Sequence, residues 1–335
     1  MRSYRPWREI YEGGSPEAEQ AIFRSMAREM RKLQVANLEK AGARHLTRMM
    51  YAKTVAGVTN ASLIVDRVMP AELAIAHFHP GARLPVVMRL SNASGVAQTD
   101  GAPDMRGVAL RILLPRKRVH DLLLASHPTS IARDARQFFE VAMTSIGDRE
   151  TLLARLASRL GLSETHRIAV SLKRSLKLCS SLALQHFWSG CAFLWGDQPV
   201  HFELRPVATE NTYTGQSTRN NDALRLDLAE RLATGDVQFR LAVQKYVDER
   251  RTPVEDATVK WKKQVSPPIE IATVVIPKHD MLGEEAEAAR ARVDRLAFDP
   301  WNAPPQFRPL GSLNRARRIV YETSAQARLS GSEPF

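Results

Sequence analysis

The chain has 335 residues, 44% hydrophobic and 25% charged, proportions that exclude a disordered or collagen-like chain and suit a folded protein with a substantial core. Forty-eight Lys and Arg against 36 Asp and Glu leave a net charge of +12, which attracts anions without selecting among them. No aromatic-interleaved basic motif accompanies that charge, so nucleic acid is not the expected partner, and no apolar run approaches the ~18 to 20 residues of a membrane span.

The opening MRSYRPWREIYEGG has charges of both signs and no apolar region of the kind an export signal needs, so the expected location is the cytoplasm. From Ser15 to Gly42, the apolar residues Ile22, Phe23, Met26, Met30, Leu33 and Leu38 return at helical spacing. Ser15 as N-cap, Pro16 at the first helical position and Gly42 at the end delimit that helix.

From about residue 61 the period shortens, and runs rich in Val, Ile and Leu at 61–68, 74–78, 85–91, 107–114 and 120–124 read as strands. Residues 134–187 read as a helical insertion, with Leu152, Leu156, Leu160, Ile168, Leu172, Leu176 and Leu182 at helical intervals. Three further strands are predicted at 200–207, 237–244 and 269–276. The middle one alternates Val237, Phe239, Leu241 and Val243 with Gln238, Arg240, Ala242 and Gln244.

Eight strands interrupted by helices predict an α+β fold with a central antiparallel eight-stranded β-barrel, since closure removes exposed edges. A charged helix follows at 284–295, then an irregular segment, then RARRIVYETSAQAR, where Arg317, Tyr321, Ser324 and Arg328 share one face if helical. The organisation expected is an N-terminal arm and helix over 1–47, one domain over 48–328 and a loose tail over 329–335. Cys179 and Cys191 are the only cysteines, enough for at most one disulfide and without histidine partners for zinc.

Arg317 and Tyr321 lie one helical turn apart, and an adjacent cation favours the anionic form of a phenol. A phenolate oxygen suits ferric iron, and tyrosinate is an axial ligand of haem. Six collinear blocks give this pair a context: RMMYAKTVAGV at 48–58, VVMRLSNASG at 86–95, DMRGVALRI at 104–112, DLLLASHPTSIARDARQF at 121–138, PVEDATVKW at 253–261 and FDPWNAPPQFRPLGSLNRARRIVYETSAQAR at 298–328.

Through these blocks, which run over some five-sixths of the chain, the sequence resembles the catalase superfamily. It resembles in particular the short branch of catalase-related haem peroxidases, to which coral allene oxide synthase is also similar. The resemblance implies haem b in the ferric state, with Tyr321 as the axial iron ligand on a C-terminal proximal helix and Arg317 paired to it. It implies Arg48, Arg89 and Arg328 at the haem propionates, Phe138 stacked on the porphyrin, Met50 above it and Ser91 at the distal side. Asp104 and Arg106 in the DxRG block read as a salt-bridged structural turn. Glu203, with His201 on the same strand face, is the expected support of Arg317.

The distal side departs from the family pattern. Tyr51 stands where the block R-x-x-H-A-[KR] has histidine, and the distal asparagine falls at Ala125 or Ser126. Splitting hydrogen peroxide needs a base that takes a proton from one oxygen and returns it to the other, a task suited to imidazole and not to a phenol with a pKa near ~10. Weak catalase activity is therefore expected, with Tyr51, Ser126, His127 and Ser91 as the candidate distal residues and His127 as the one histidine that could substitute. His45 and the remaining histidines show no ligand spacing.

The expected activity is a haem-dependent oxidoreductase of the peroxidase or catalase-like type that prefers an organic hydroperoxide, acting either by a dehydration or rearrangement that needs no reductant or in a peroxidase cycle with a small reducing co-substrate. The alternative is a haem sensor or carrier without turnover. The chain is shorter beyond the proximal helix than the large catalases, which predicts a monomer or homodimer.

Overall fold

A computed structural model describes residues 7–146, 150–207 and 221–329. The N-terminal helix α1 (Pro16–Ala41) forms as the sequence predicts: the Ser15 side chain accepts a hydrogen bond from Ala18 N, and Gly42 closes the helix in the left-handed conformation. Its stripe of Phe23, Met26, Met30, Leu33 and Leu38 is buried against the helices that follow.

Strands β1 (Thr54–Val65), β2 (Arg83–Asn92), β3 (Arg106–Leu113) and β4 (Val119–Ala125) form an antiparallel meander. Strands β5 (Phe187–Trp188), β6 (Phe193–Trp195), β7 (Gln198–Pro206), β8 (Val237–Lys245) and β9 (Ile269–Ile276) complete the sheet. The order is β5-β4-β3-β2-β1-β9-β8-β7-β6, and β5 also pairs with β7. The sheet thus closes into an eight-stranded antiparallel barrel, with β6 as a short extra strand on β7.

Period-two alternation decides which side chains fill the barrel. On β4, Leu122 and Leu124 join the interior cluster while Asp121, Leu123 and Ala125 point outward. The candidate functional residues belong to the outward set, so the site lies between the barrel wall and the helices outside it.

Helices α2 (Ala135–Thr144), α3 (Leu152–Leu160) and α4 (Leu162–Ser175) make up the insertion. The later part of the expected helical stretch, 176–187, is not helical: Leu182, Ala183 and Phe187 leave helical spacing to enter the barrel core. Helix α5 (Ala223–Thr234) precedes β8, α6 (Glu284–Arg295) lies against β1, and α7 (Ser312–Leu329) packs on α1 and α2. Leu329 closes α7 instead of opening the tail, and residues 330–335 lie outside the described residues.

The segment 74–78 is not a strand. A short turn at Ala71–Leu73 and a left-handed Ala76 (φ 48°) break the extended path. Its apolar residues serve another purpose: Phe78 is buried among His77, His120, Trp195 and Phe307. The missing barrel position is filled by β5, and the first strand begins seven residues earlier than expected, at Thr54. Cys179 and Cys191 are both free thiols, so no disulfide forms.

Candidate functional site

Helix α7 is fixed to the rest of the molecule through one face and offers the other. Arg315 reaches Glu9 at 2.9 Å, Glu19 at 2.6 Å and Glu255 at 2.9 Å, tying the N-terminal arm, α1 and the 253–261 segment to α7. Burial opposes the charge on Arg315, but the bonds to Glu19 and Glu255 hold its guanidinium well above the ordinary value. The Asn314 carbonyl accepts from Trp301 Nε1 at 2.7 Å, and Asn314 Nδ2 donates to the Ala192 carbonyl.

With the helix so held, Arg317 NH2 donates to Tyr321 Oη at 3.0 Å and Arg317 NH1 to Asn314 Oδ1 at 3.0 Å. The Arg317 guanidinium also lies 5.0 Å from the centre of the Tyr321 ring. The pairing foreseen from the spacing is therefore present, but its support differs from expectation. Glu203 is engaged by His186, Trp188 and Arg205, and His201 stacks on Trp261 at 4.0 Å, so neither bonds Arg317. The outward-facing row on β7 carries both residues away from α7. Asn314, invisible to spacing arguments, takes the supporting role, and Asp299 and Cys191 lie within the field of Arg317.

Three arginines gather at the end of α6. This helix can lie directly on β1 because residue 57 is glycine: a Cβ there would stand 2.8 Å from the Arg290 Cα and 2.9 Å from the Val293 Cβ. Asp294, in the last turn, accepts from Arg48 NH1 at 2.7 Å and from the Thr54 hydroxyl, and lies 3.8 Å from Arg89. Arg48 NH2 and Arg328 NH2 donate to the Leu296 carbonyl, and Arg328 NH1 to the Asp294 carbonyl. Arg89 Nε donates to Thr54 Oγ1 at 2.8 Å and NH2 to the Tyr51 carbonyl at 2.6 Å.

One carboxylate does not balance three guanidiniums. Burial and then the neighbouring Arg48 push Arg89 down to about 9, and burial followed by Arg48 pushes Arg328 down to about 10. The cluster therefore holds a surplus of two positive charges in a partly desolvated place, the electrostatic signature of a site for a dianion. Two propionates would supply that charge, so the residues fit a haem.

Tyr51 sits on the other side of this cluster. Its backbone adopts φ 57°, a left-handed conformation costing on the order of 1–3 kcal/mol, and is held by Tyr51 N to the Ala93 carbonyl at 2.8 Å and Ala52 N to the Ser94 carbonyl at 3.0 Å. The ring lies against Gly107, where a Cβ would come within 2.6 Å of Tyr51 Cε1 and 3.0 Å of Ser91 Oγ. Ser91 thus lies against the same glycine as Tyr51. Burial first, and then the charge of Tyr321, push the Tyr51 phenol up. The charge of Tyr321 favours the charged forms of Arg48 and Arg89, so its phenol lies within electrostatic range of both arginines and of Tyr51.

The remaining candidates divide. Phe138, on α2, packs against the cluster of Met30, Leu33, Met49 and Ala142, as does Val320, the chain neighbour of Tyr321. Met50 is half-buried, whereas its neighbour Met49 fills the helical core. Ser126 Oγ accepts from Arg106 N at 2.8 Å, a contact at the end of the strand. His127 is bound locally, its Nδ1 2.9 Å from the Thr129 carbonyl. Arg106 does not pair with Asp104: it donates to the carbonyls of Asp100 and Ala102, while Asp104 accepts from Ser94 N and Gln98.

The architecture is that of the catalases. The chain superposes on a bacterial catalase with a TM-score of 0.64 at 18% identity over 87% of its length, on a fungal catalase with 0.68 at 17% over 98%, and on catalase A from Saccharomyces cerevisiae with 0.65 at 16% over 98%. It spans 60%, 67% and 68% of those chains, respectively. In sequence it is 26% identical over 258 residues to a catalase-related peroxidase of Mycolicibacterium paratuberculosis, covering 74% of this chain and 79% of that one. No protein-family model matches. The likeness to the catalase superfamily read from the six blocks thus holds in both sequence and fold.

Proposed function

We propose that the protein is a haem-dependent peroxidase of the catalase-related type that reduces organic hydroperoxides in preference to hydrogen peroxide. The observation that carries this reading is the convergence of the Arg317–Tyr321 pair and the three arginines on the space faced by Tyr51. Ferric haem b would be held through its iron by the Tyr321 oxygen and through its propionates by Arg48, Arg89 and Arg328, with Phe138 against the ring. Bound there, it supplies an iron at which the O–O bond of a peroxide is cleaved.

The residues of the chain then determine which peroxide is used. Arg317 delivers positive charge to the Tyr321 oxygen, and Asn314 keeps Arg317 aimed. On the distal side Tyr51 is neutral across the working pH range and donates a single hydrogen bond, oriented by its fixed backbone and by Gly107. Beside it the Ser91 hydroxyl lies against the same glycine and donates to the Gly107 carbonyl. These groups can orient an oxygen, but they cannot shuttle a proton as imidazole does, which is why catalase turnover is weak in this reading. An alkyl hydroperoxide also brings apolar surface for Met50 and Phe138 to bury.

The same weakness favours, as a second reading, a haem sensor or carrier without turnover. The experiment is an absorption spectrum of the protein with haem, before and after cumene hydroperoxide or hydrogen peroxide. A prompt spectral change with the organic peroxide, returning on addition of a reductant, is expected. Haem retained but inert to both leaves the carrier, and failure to retain haem overturns both readings.

A further inference from the structure

Outside the site just described, one cluster of aromatic and titratable groups is continuous with it. Cross-strand pairing aligns Ser91 with Gly107, Gly107 with Ala125, Ala125 with Trp188 and Trp188 with Glu203. Partners in register point to the same face, so this row runs along the outside of the barrel. It starts at the glycine under the Tyr51 ring and reaches the half-buried Trp188 after two strand spacings, about 10 Å.

Trp188 is equipped there in a way that packing does not require. Its Nε1 donates to Glu203 Oε2 at 3.0 Å, and the His186 ring nitrogen lies 3.1 Å from the same oxygen. The His186 and Trp188 rings are stacked with centres 3.8 Å apart and planes 20° from parallel. Glu203 is 1% exposed, and Arg205 sits 3.2 Å from its other oxygen. Burial opposes the charge on Glu203, yet the hydrogen bond from His186 and the nearby cations hold its carboxyl below the ordinary range, so it is an anion that can accept a proton. A carboxylate at the indole N–H makes the ring easier to oxidise, because the proton released by the radical cation has an acceptor already in place.

We propose that Trp188, with Glu203 as its proton acceptor, is a redox site through which reductants too bulky for the haem pocket deliver electrons. This rests on the peroxidase reading above. In each round Trp188 passes one electron inward to the site oxidised by the peroxide, and its Nε1 proton moves to Glu203 Oε2. A phenolic, aromatic-amine or azine donor at the surface then returns one electron to the indolyl radical while Glu203 returns the proton to Nε1, and the oxidised donor leaves, any proton it loses going to solvent. Two rounds supply two electrons, which with two protons taken from solvent convert a hydroperoxide, ROOH, to ROH and water.

The test uses haem-loaded protein, cumene hydroperoxide, the bulky sulfonated dye ABTS and the small phenol guaiacol. Trp188→Phe is expected to lower kcat/KM for ABTS by about tenfold or more while changing that for guaiacol by less than about twofold. Glu203→Gln, which keeps an acceptor oxygen but binds no proton, should lower the ABTS rate by a smaller factor. With peroxide and no reductant, rapid-freeze electron paramagnetic resonance should show an indolyl radical absent from Trp188→Phe, and peptide mapping of the unmodified sequence should find hydroxylated Trp188. Peroxide consumption with equal ABTS rates in the variant and no oxidation at Trp188 overturns this inference alone. Absence of any peroxide reaction overturns the peroxidase reading and this inference with it.

Discussion

The two faces of the candidate site are built to different standards. On the Tyr321 side every group has a partner and a second partner behind it: Arg317 on Asn314, Asn314 on Ala192, and the helix itself on the Arg315 network. On the Tyr51 side the backbone is locked, but the side chains are a phenol lying on a glycine and hydroxyls occupied at strand ends. The difference separates holding a cofactor from moving protons at it. The first needs fixed charge, which is present, and the second needs a group that titrates near neutrality, which Tyr51 is not.

The largest expected effect breaks the first face. Tyr321→Phe removes one of the two side-chain oxygens to which Arg317 donates among the described residues, and should abolish the ferric haem spectrum or shift it wholly to that of another ligand. An unchanged spectrum at equal haem content would remove Tyr321 from the axial position.

Next in size is the support behind that face. Arg315→Met leaves Glu9, Glu19 and Glu255 buried without their shared cation and should cost about 3–5 kcal/mol in denaturant unfolding. A loss below about 1 kcal/mol, the size of an exposed ion pair, would show that the network does not anchor α7.

The third prediction sharpens the distal face. Tyr51→His introduces a base at the departure from the family pattern, and hydrogen peroxide disproportionation should rise by about 10²-fold, the lower end of what general acid–base catalysis supplies. The left-handed backbone at this position tolerates histidine better than most residues. No gain in oxygen evolution, with haem retained, would mean that position 51 does not face the peroxide.

How much of this was legible in the sequence follows from which signals have a period. Helix α1, strand β8 and helices α6 and α7 stood out because their apolar or charged residues recur over two or more turns or alternations. Strand β5 has two residues and no period to read, while 74–78 has strand-like composition because it plugs the barrel end. The same contrast holds within the site. Arg317 and Tyr321 are local partners and could be found by spacing, whereas Asp294 meets Arg48 from 246 residues away, and only the folded chain brings them together. Asn314 was equally hidden, since an amide three residues before an arginine is unremarkable until the helix shows which way it points. Glu203 was assigned to Arg317 from sequence proximity to a pattern, and the facing of β7 sends it to Trp188 instead.

The smallest predicted effect concerns pH, and it too falls on the Tyr321 side. Burial, opposed by the Trp301 N–H and the charge of Arg317, pushes Asp299 up to about 6. In the unfolded chain an aspartate titrates near ~3.9, so between about pH 4 and 6 the folded state binds the extra proton. Raising the pH through this window removes that proton and lowers stability, by about 2 kcal/mol in all. Asp299→Asn keeps an acceptor for Trp301 N but cannot ionise, so the unfolding midpoint of the parent protein in urea should fall relative to that of the variant across this window. Above pH 6 the new negative charge also lies within the field of Arg317, so the haem spectrum should shift near pH 6 in the parent protein and not in the variant. A stability difference between the parent protein and Asp299→Asn that stays constant or grows in favour of the parent between pH 4 and 6 would mean that Asp299 is ionised at the start of the window, and that Arg317 prevails over burial at this carboxyl.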